Sequence, residues 1–127
     1  MIVVDTSVWI AATRNPSSEL ATILDGLIDA DEACLALPVR LELLSGLGAR
    51  DRGVLRRGMA ALPVAVPTDV TWNTVERWIE SSGDAGQRFA LIDLMIGALS
   101  NELTALIWSL DRDFERMAAL GFVHLYR

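Results

Sequence analysis

Short, nearly unbroken apolar runs alternate along this chain with segments whose apolar residues recur at helical spacing. Residues 1–5 (MIVVD) read as a buried strand. Residues 6–13 read as a short helix that stops before Pro16, because a proline pushes the residue before it out of helical geometry. Residues 18–30 predict a helix, with Ser17 or Ser18 as N-cap and Glu19 in its first turn. Residues 32–37 predict a second strand. Pro38 then opens a helix where its missing N–H is tolerated, and Gly46 or Gly48 ends it near Leu47. Residues 51–62 predict a further helix and 63–66 a short strand. Thr68 or Asp69 caps a helix over 70–81, halted by Ser82-Gly83-Asp84. Residues 92–102 form a helix apolar nearly all round, which predicts burial. A strand over 104–110, a helix over 112–120 stopped by Gly121, and a last strand over 122–125 complete the pattern.

The alternation predicts an α/β fold: a single three-layer domain spanning residues 1–127, with a central parallel sheet of about five strands flanked by helices. No repeat, low-complexity segment or linker interrupts it. In open sheets of this kind the functional site lies beyond the carboxyl ends of the strands.

Four acids break the apolar pattern where it is strongest. Asp5 closes the first strand and Asp111 follows the strand run LIWSL. Glu42 and Asp93 sit inside PVRLELLSG and ALIDLMIGAL. An ionised carboxylate taken out of water costs several kcal/mol unless it finds a partner. Cationic partners are scarce, since the chain has no Lys and one His, His124. A divalent metal ion meets the need, and metal with carboxylates points to phosphodiester chemistry.

Each acid also has a structural reading. Asp5 before Thr6-Ser7 can be a helix cap. Glu42 can pair with an arginine such as Arg40 or Arg88, and Asp93 can cap a helix over 94–102. Asp111 and Asp113 can start the last helix, where its dipole favours negative charge. Capping and metal binding are compatible, because a cap leaves one carboxylate oxygen free.

Composition sets the frame. Hydrophobic residues make up 52% of 127, enough for a packed core. No apolar run reaches the roughly 18 residues of a membrane span, and no basic segment precedes an apolar one at the start. A cytoplasmic protein with no membrane contact is expected. The lone Cys34 sits in ACLAL and reads as a buried small residue. The net charge of −6 lends no support to nucleic-acid binding. Two bound divalent ions would bring it to −2. Arg50, Arg52, Arg56 and Arg57 form the one local basic group, readable as a solvated helix face or as a contact for phosphate or a partner.

The segments IVVDTSVWI, RLELLSG, LIDLMIGALS and IWSLDRDFERM, in this order and with Asp93 and Asp111 18 residues apart, resemble the PIN-domain ribonucleases. Within them the chain looks like a VapC-type toxin of a bacterial toxin–antitoxin pair. The resemblance covers essentially the whole chain. It implies that Asp5, Glu42, Asp93 and Asp111 form the catalytic, metal-holding quartet, with Asp113 and Ser7 as accessories. Ser109 stands where the family often has Thr, and keeps the hydroxyl. The resemblance further implies Mg²⁺ or Mn²⁺ as cofactor and RNA (tRNA or another structured RNA) as substrate. It implies a VapB-like antitoxin as inhibitor. Apolar helices near the N-terminus add the expectation of a homodimer.

Other readings fit less well. A receiver-like phosphoacceptor needs a Lys that this chain lacks, and a haloacid dehalogenase-type phosphatase needs Asp-x-Asp on its first strand. A His-based ribonuclease needs a second general acid or base beside His124. A catalytically silent PIN-fold protein-binding module leaves the intact quartet without a role. Of the tryptophans, Trp108 is expected in the core, and Trp72 and Trp78 on different helix faces, one of them exposed.

Overall fold

A computed structural model describes all 127 residues. In chain order the elements are β1 (Ile2–Val4), α1 (Thr6–Arg14), α2 (Glu19–Asp29), β2 (Ala33–Ala36), α3 (Leu37–Ser45) and α4 (Ala49–Met59). They continue with β3 (Val64–Ala65), α5 (Asp69–Asp84), α6 (Leu91–Glu102), β4 (Leu106–Trp108) and α7 (Arg112–Ala119). The strands form one parallel sheet in the order β3-β2-β1-β4. β1 pairs Ile2 with Ala33 on one side and Val4 with Trp108 on the other.

Strand alternation explains the layers. Val3 and Cys34 point into the larger core, with Val39, Ile96, Leu99 and Phe114. Their neighbours Ile2, Val4 and Ala33 point the other way, into a smaller core with Leu24 and Leu27 of α2. β1 and β2 are therefore buried on both faces, as their apolar runs predict. α6 lies tightly in the larger core: a Cβ on Gly97 would come within 3.1 Å of Val123 and 3.3 Å of Trp78.

The sheet has four strands, against about five expected. The segment over 122–125 shrinks to a single parallel bridge, Ile107 with Leu125. The reason lies in the core. Phe122 stacks flat on Trp78, ring centroids 4.4 Å apart, and Val123 packs beside Gly97. Those two residues are committed to helix packing, so the chain reaches β4 only where Ile107 N–H donates to His124 and Tyr126 N–H donates to Ile107. Other boundaries move by a few residues. α5 runs on through the expected turn, because Ser82 is buried and its hydroxyl bonds back to the Ile79 carbonyl. Gly86, at φ +72°, ends it instead.

The chain turns back at β1. β2 and β3 lie to one side of it and β4 to the other, which opens a crevice at the carboxyl ends of β1 and β4. Asp5 and Asp111 follow those two ends.

Candidate metal centre

Asp5 is buried, 4% exposed, and is the N-cap of α1. All its hydrogen bonds fall on Oδ2. Ser7 donates through its hydroxyl at 2.7 Å and its N–H at 3.4 Å, and Ser109 donates its hydroxyl at 2.8 Å. Each serine accepts in turn from the segment that follows β4: Leu110 N–H donates to Ser7 Oγ at 3.0 Å and Asp111 N–H to Ser109 Oγ at 2.9 Å. These hydroxyls join the two strand ends and leave the other oxygen of Asp5 without a protein donor. The cap reading of Asp5 holds, and the cap uses only Oδ2.

Glu42 projects from α3, half-buried. Its partner is the Thr6 hydroxyl, which donates to Oε1 at 2.6 Å. It pairs with neither Arg40 nor Arg88; the chain's one ion pair lies elsewhere. Asp93 is the third residue of α6, not its cap, which is Ala90. The helix begins at Leu91, one residue before the expected start at 92, which rules out the alternative of a helix over 94–102 capped by Asp93. Asp111 caps α7 by accepting from the Asp113 N–H at 2.9 Å.

The carboxylate oxygens of Asp93, Asp111 and Asp113 lie within 4.8 Å of one another. Asp113, expected as an accessory, thus belongs to the tightest group. Asp5 and Glu42 stand outside it, but their charges reach it. The Asp93 carboxyl is pushed up to about 7, first by burial, then by the charges of Asp5, Asp111, Glu42 and Asp113. Five acids from four segments of the chain therefore lie near one another. Like charges 4 Å apart repel by about 4 kcal/mol at an intermediate dielectric, so the arrangement favours a cation in its midst. The donors are all oxygen, which suits a hard divalent ion.

Sequence reasoning missed two residues here. Thr6 holds Glu42 across 36 positions, which no local pattern signals. Arg116 pairs with Asp113 at 2.8 Å, and the three-residue spacing in DFER was the available signal. His124 is exposed, and its carbonyl serves the sheet. Trp78 is buried and Trp72 is 48% exposed, so the two do face differently. Trp108 is only partly buried, edge-on to Tyr126, because β4 lies at the sheet's margin. Cys34 is buried, and burial pushes its thiol up.

Fold and acids together define an α/β protein with a carboxylate cluster that could hold a metal ion, and comparison with known proteins narrows the class. The chain belongs to the PIN domain family, which matches residues 2–120. It is 31% identical over 122 residues to Ribonuclease VapC18 of Mycobacterium tuberculosis, covering 92% of this chain and 87% of that protein. Its fold is similar to DNA-bound VapBC from Salmonella typhimurium, with a TM-score of 0.84 at 15% identity, over 98% of this chain and 96% of that one. It is also similar to VapBC-5 of Mycobacterium tuberculosis, a member of the VapBC family of toxin–antitoxin systems. There the TM-score is 0.72 at 20% identity, over 98% and 96% of the two chains. No helix is long and apolar enough to cross a membrane.

Proposed function

We propose that this chain is a divalent-metal-dependent ribonuclease toxin that hydrolyses phosphodiester bonds of structured RNA and is silenced by a cognate antitoxin. The observation that carries the reading is the gathering of four acids, Asp5, Glu42, Asp111 and Asp113, around Asp93. Such a group of carboxylates weakens a fold unless a cation joins it.

Asp5, Asp93 and Asp111 are the residues assigned to hold Mg²⁺ or Mn²⁺, with Glu42 and Asp113 completing the shell. When bound, such an ion supplies charge against the developing negative phosphate oxygens and acidifies water. The chain's own residues prepare the site. Ser7 and Ser109 fix the plane of the Asp5 carboxylate and direct its free oxygen away from their donors. Thr6 holds Glu42 in one orientation.

The antitoxin reading draws on the VapBC relatives and on a groove between α1 and α4. This groove, a cavity of about 680 Å³, is lined by Trp9, Ile10, Leu43, Leu47, Val54 and Leu55. Arg14 and Asp51 also line it, and α4 carries Arg50, Arg52, Arg56 and Arg57 outside the lining. Apolar walls beside an arginine-rich helix fit an antitoxin segment that is mainly apolar, with acidic residues towards α4. Homodimer formation belongs to the same reading, and sedimentation velocity checks it.

The test is cleavage of total bacterial RNA by the purified chain with Mg²⁺ or Mn²⁺, beside chelator and Asp93→Asn controls. Discrete cuts absent from both controls are expected. A folded, metal-loaded chain that cuts no RNA would favour a silent binding module instead.

A further inference from the structure

Seventeen acidic and eleven cationic side chains form a single ion pair, Arg116 Nη1 with Asp113 Oδ1 at 2.8 Å. It lies in the tightest part of the acid group, since Asp113 clusters with Asp93 and Asp111. The Arg116 guanidinium makes two further contacts. Nη2 donates a long bond, 3.5 Å, to the Arg88 carbonyl. Its central carbon stands 4.5 Å above the Phe89 ring. Phe89 is buried in the larger core, next to Ala90, the cap of α6.

One guanidinium therefore spans two elements. It grips the first turn of α7, which carries Asp111 and Asp113, and the segment that launches α6, which carries Asp93. A planar fork can pair with a carboxylate, donate to a carbonyl and lie on a ring at once; an ammonium cannot. The pair itself adds little to folding. Its side chains are 42% and 38% exposed, and exposed pairs three residues apart on a helix contribute a few tenths of a kcal/mol.

We infer that Arg116 is a positioning residue of the metal centre, occupying one oxygen of Asp113 and fixing α7 against the start of α6. The inference rests on the metal-dependent reading above. It gives Arg116 two opposing effects on a bound cation. Its charge weakens cation affinity, while its contacts set the spacing that catalysis needs. Removing it frees both Asp113 oxygens and adds one net negative charge to the group. The cation then binds more tightly in a poorer geometry.

The experiment titrates Mn²⁺ alone into the full chain by calorimetry, with melting curves and single-turnover RNA cleavage measured in parallel. Arg116→Gln is expected to tighten Mn²⁺ binding about threefold or more and to slow cleavage at saturating Mn²⁺ about tenfold or more. KM for RNA stays within about twofold. Arg116→Lys is expected to keep wild-type Mn²⁺ affinity and still lose rate, because charge survives and the fork does not. In an Asp113→Ala background, Arg116→Gln should tighten Mn²⁺ binding less than it does in wild type, because only the through-space effect of the charge remains. Unchanged affinity and rate in Arg116→Gln would reduce the pair to surface decoration. Loss of both with a lowered melting temperature would make Arg116 a fold-stabilising residue only. A raised KM at constant kcat would make it an RNA contact. Each of these outcomes overturns the inference while wild type still binds Mn²⁺ and cleaves. A wild-type chain that binds no Mn²⁺ would overturn the metal reading, and this one with it.

Discussion

The Ser109 hydroxyl donates to Asp5 Oδ2 at 2.8 Å, across 104 residues of sequence. This bond ties the ends of β1 and β4 together at the crevice and sets the plane of a buried carboxylate. Ser109 also accepts from the Asp111 N–H, so one side chain orients two acids of the centre. Ser109→Ala is expected to cost about 1–2 kcal/mol of stability, as loss of a bond to a charged group does. It should also lower cleavage about tenfold, read from single-turnover rates. Ser109→Thr keeps the hydroxyl and should retain both.

The fold records the strain of the acid group as a pH dependence. The Asp93 carboxyl is held at about 7 in the folded chain, above its ordinary value of 3.8. Between these values the native state binds a proton that the unfolded chain has released. Stability therefore falls as pH rises from about 4 to 7 and stays low above that. Metal-free protein should melt lower at pH 8 than at pH 5. Asp93→Asn should flatten this dependence and melt higher than wild type at pH 8. Adding Mn²⁺ should raise the wild-type melting temperature at pH 8 and leave Asp93→Asn little changed.

Four helices end in the same way, with a residue of positive φ that lets the next N–H groups reach back to the last turn. Gly86 and Gly121 do this for α5 and α7, Asp31 for α2, and Thr104, at φ +53°, for α6. A β-branched residue is disfavoured in that region. Thr104→Gly is expected to stabilise the chain by about 1 kcal/mol, or about 4 °C in melting temperature. A lowered melting temperature would show that Thr104 makes compensating contacts.

Val54 is 55% exposed on the groove side of α4. Val54→Glu places a negative charge where the proposed antitoxin segment brings apolar and acidic side chains. Its affinity for the cognate antitoxin should fall about a hundredfold by calorimetry, with the melting temperature nearly unchanged, as for most surface substitutions. Unchanged affinity would place the antitoxin elsewhere.

Apolar runs and their closing acids made much of this molecule legible. MIVVD and LIWSLD define two strands, and because parallel strands carry sites at their carboxyl ends, the pattern alone locates Asp5 and Asp111. What stayed hidden was tertiary. Nothing in ALIDLMIGAL marks Ala90 as the cap, since Ala offers no capping side chain, so Asp93 looked like a cap itself. Glu42 finds Thr6 rather than an arginine because α1 and α3 pack side by side, a contact no local pattern encodes. The fifth strand was lost to a stacking interaction, Phe122 on Trp78, between residues 44 positions apart. Arg116 was visible as a helix neighbour of Asp113, but its reach to Phe89 was not.

The most direct measurement is the chemistry of the RNA ends left by the purified chain with Mn²⁺, with Asp93→Asn alongside. Hydrolysis at a carboxylate-held metal predicts 5′-phosphate and 3′-hydroxyl ends, absent from the variant and from chelated samples. Fragments ending in 2′,3′-cyclic phosphate would contradict the account, because they require attack by the ribose hydroxyl, and so would cuts that persist in chelator, because they need no metal.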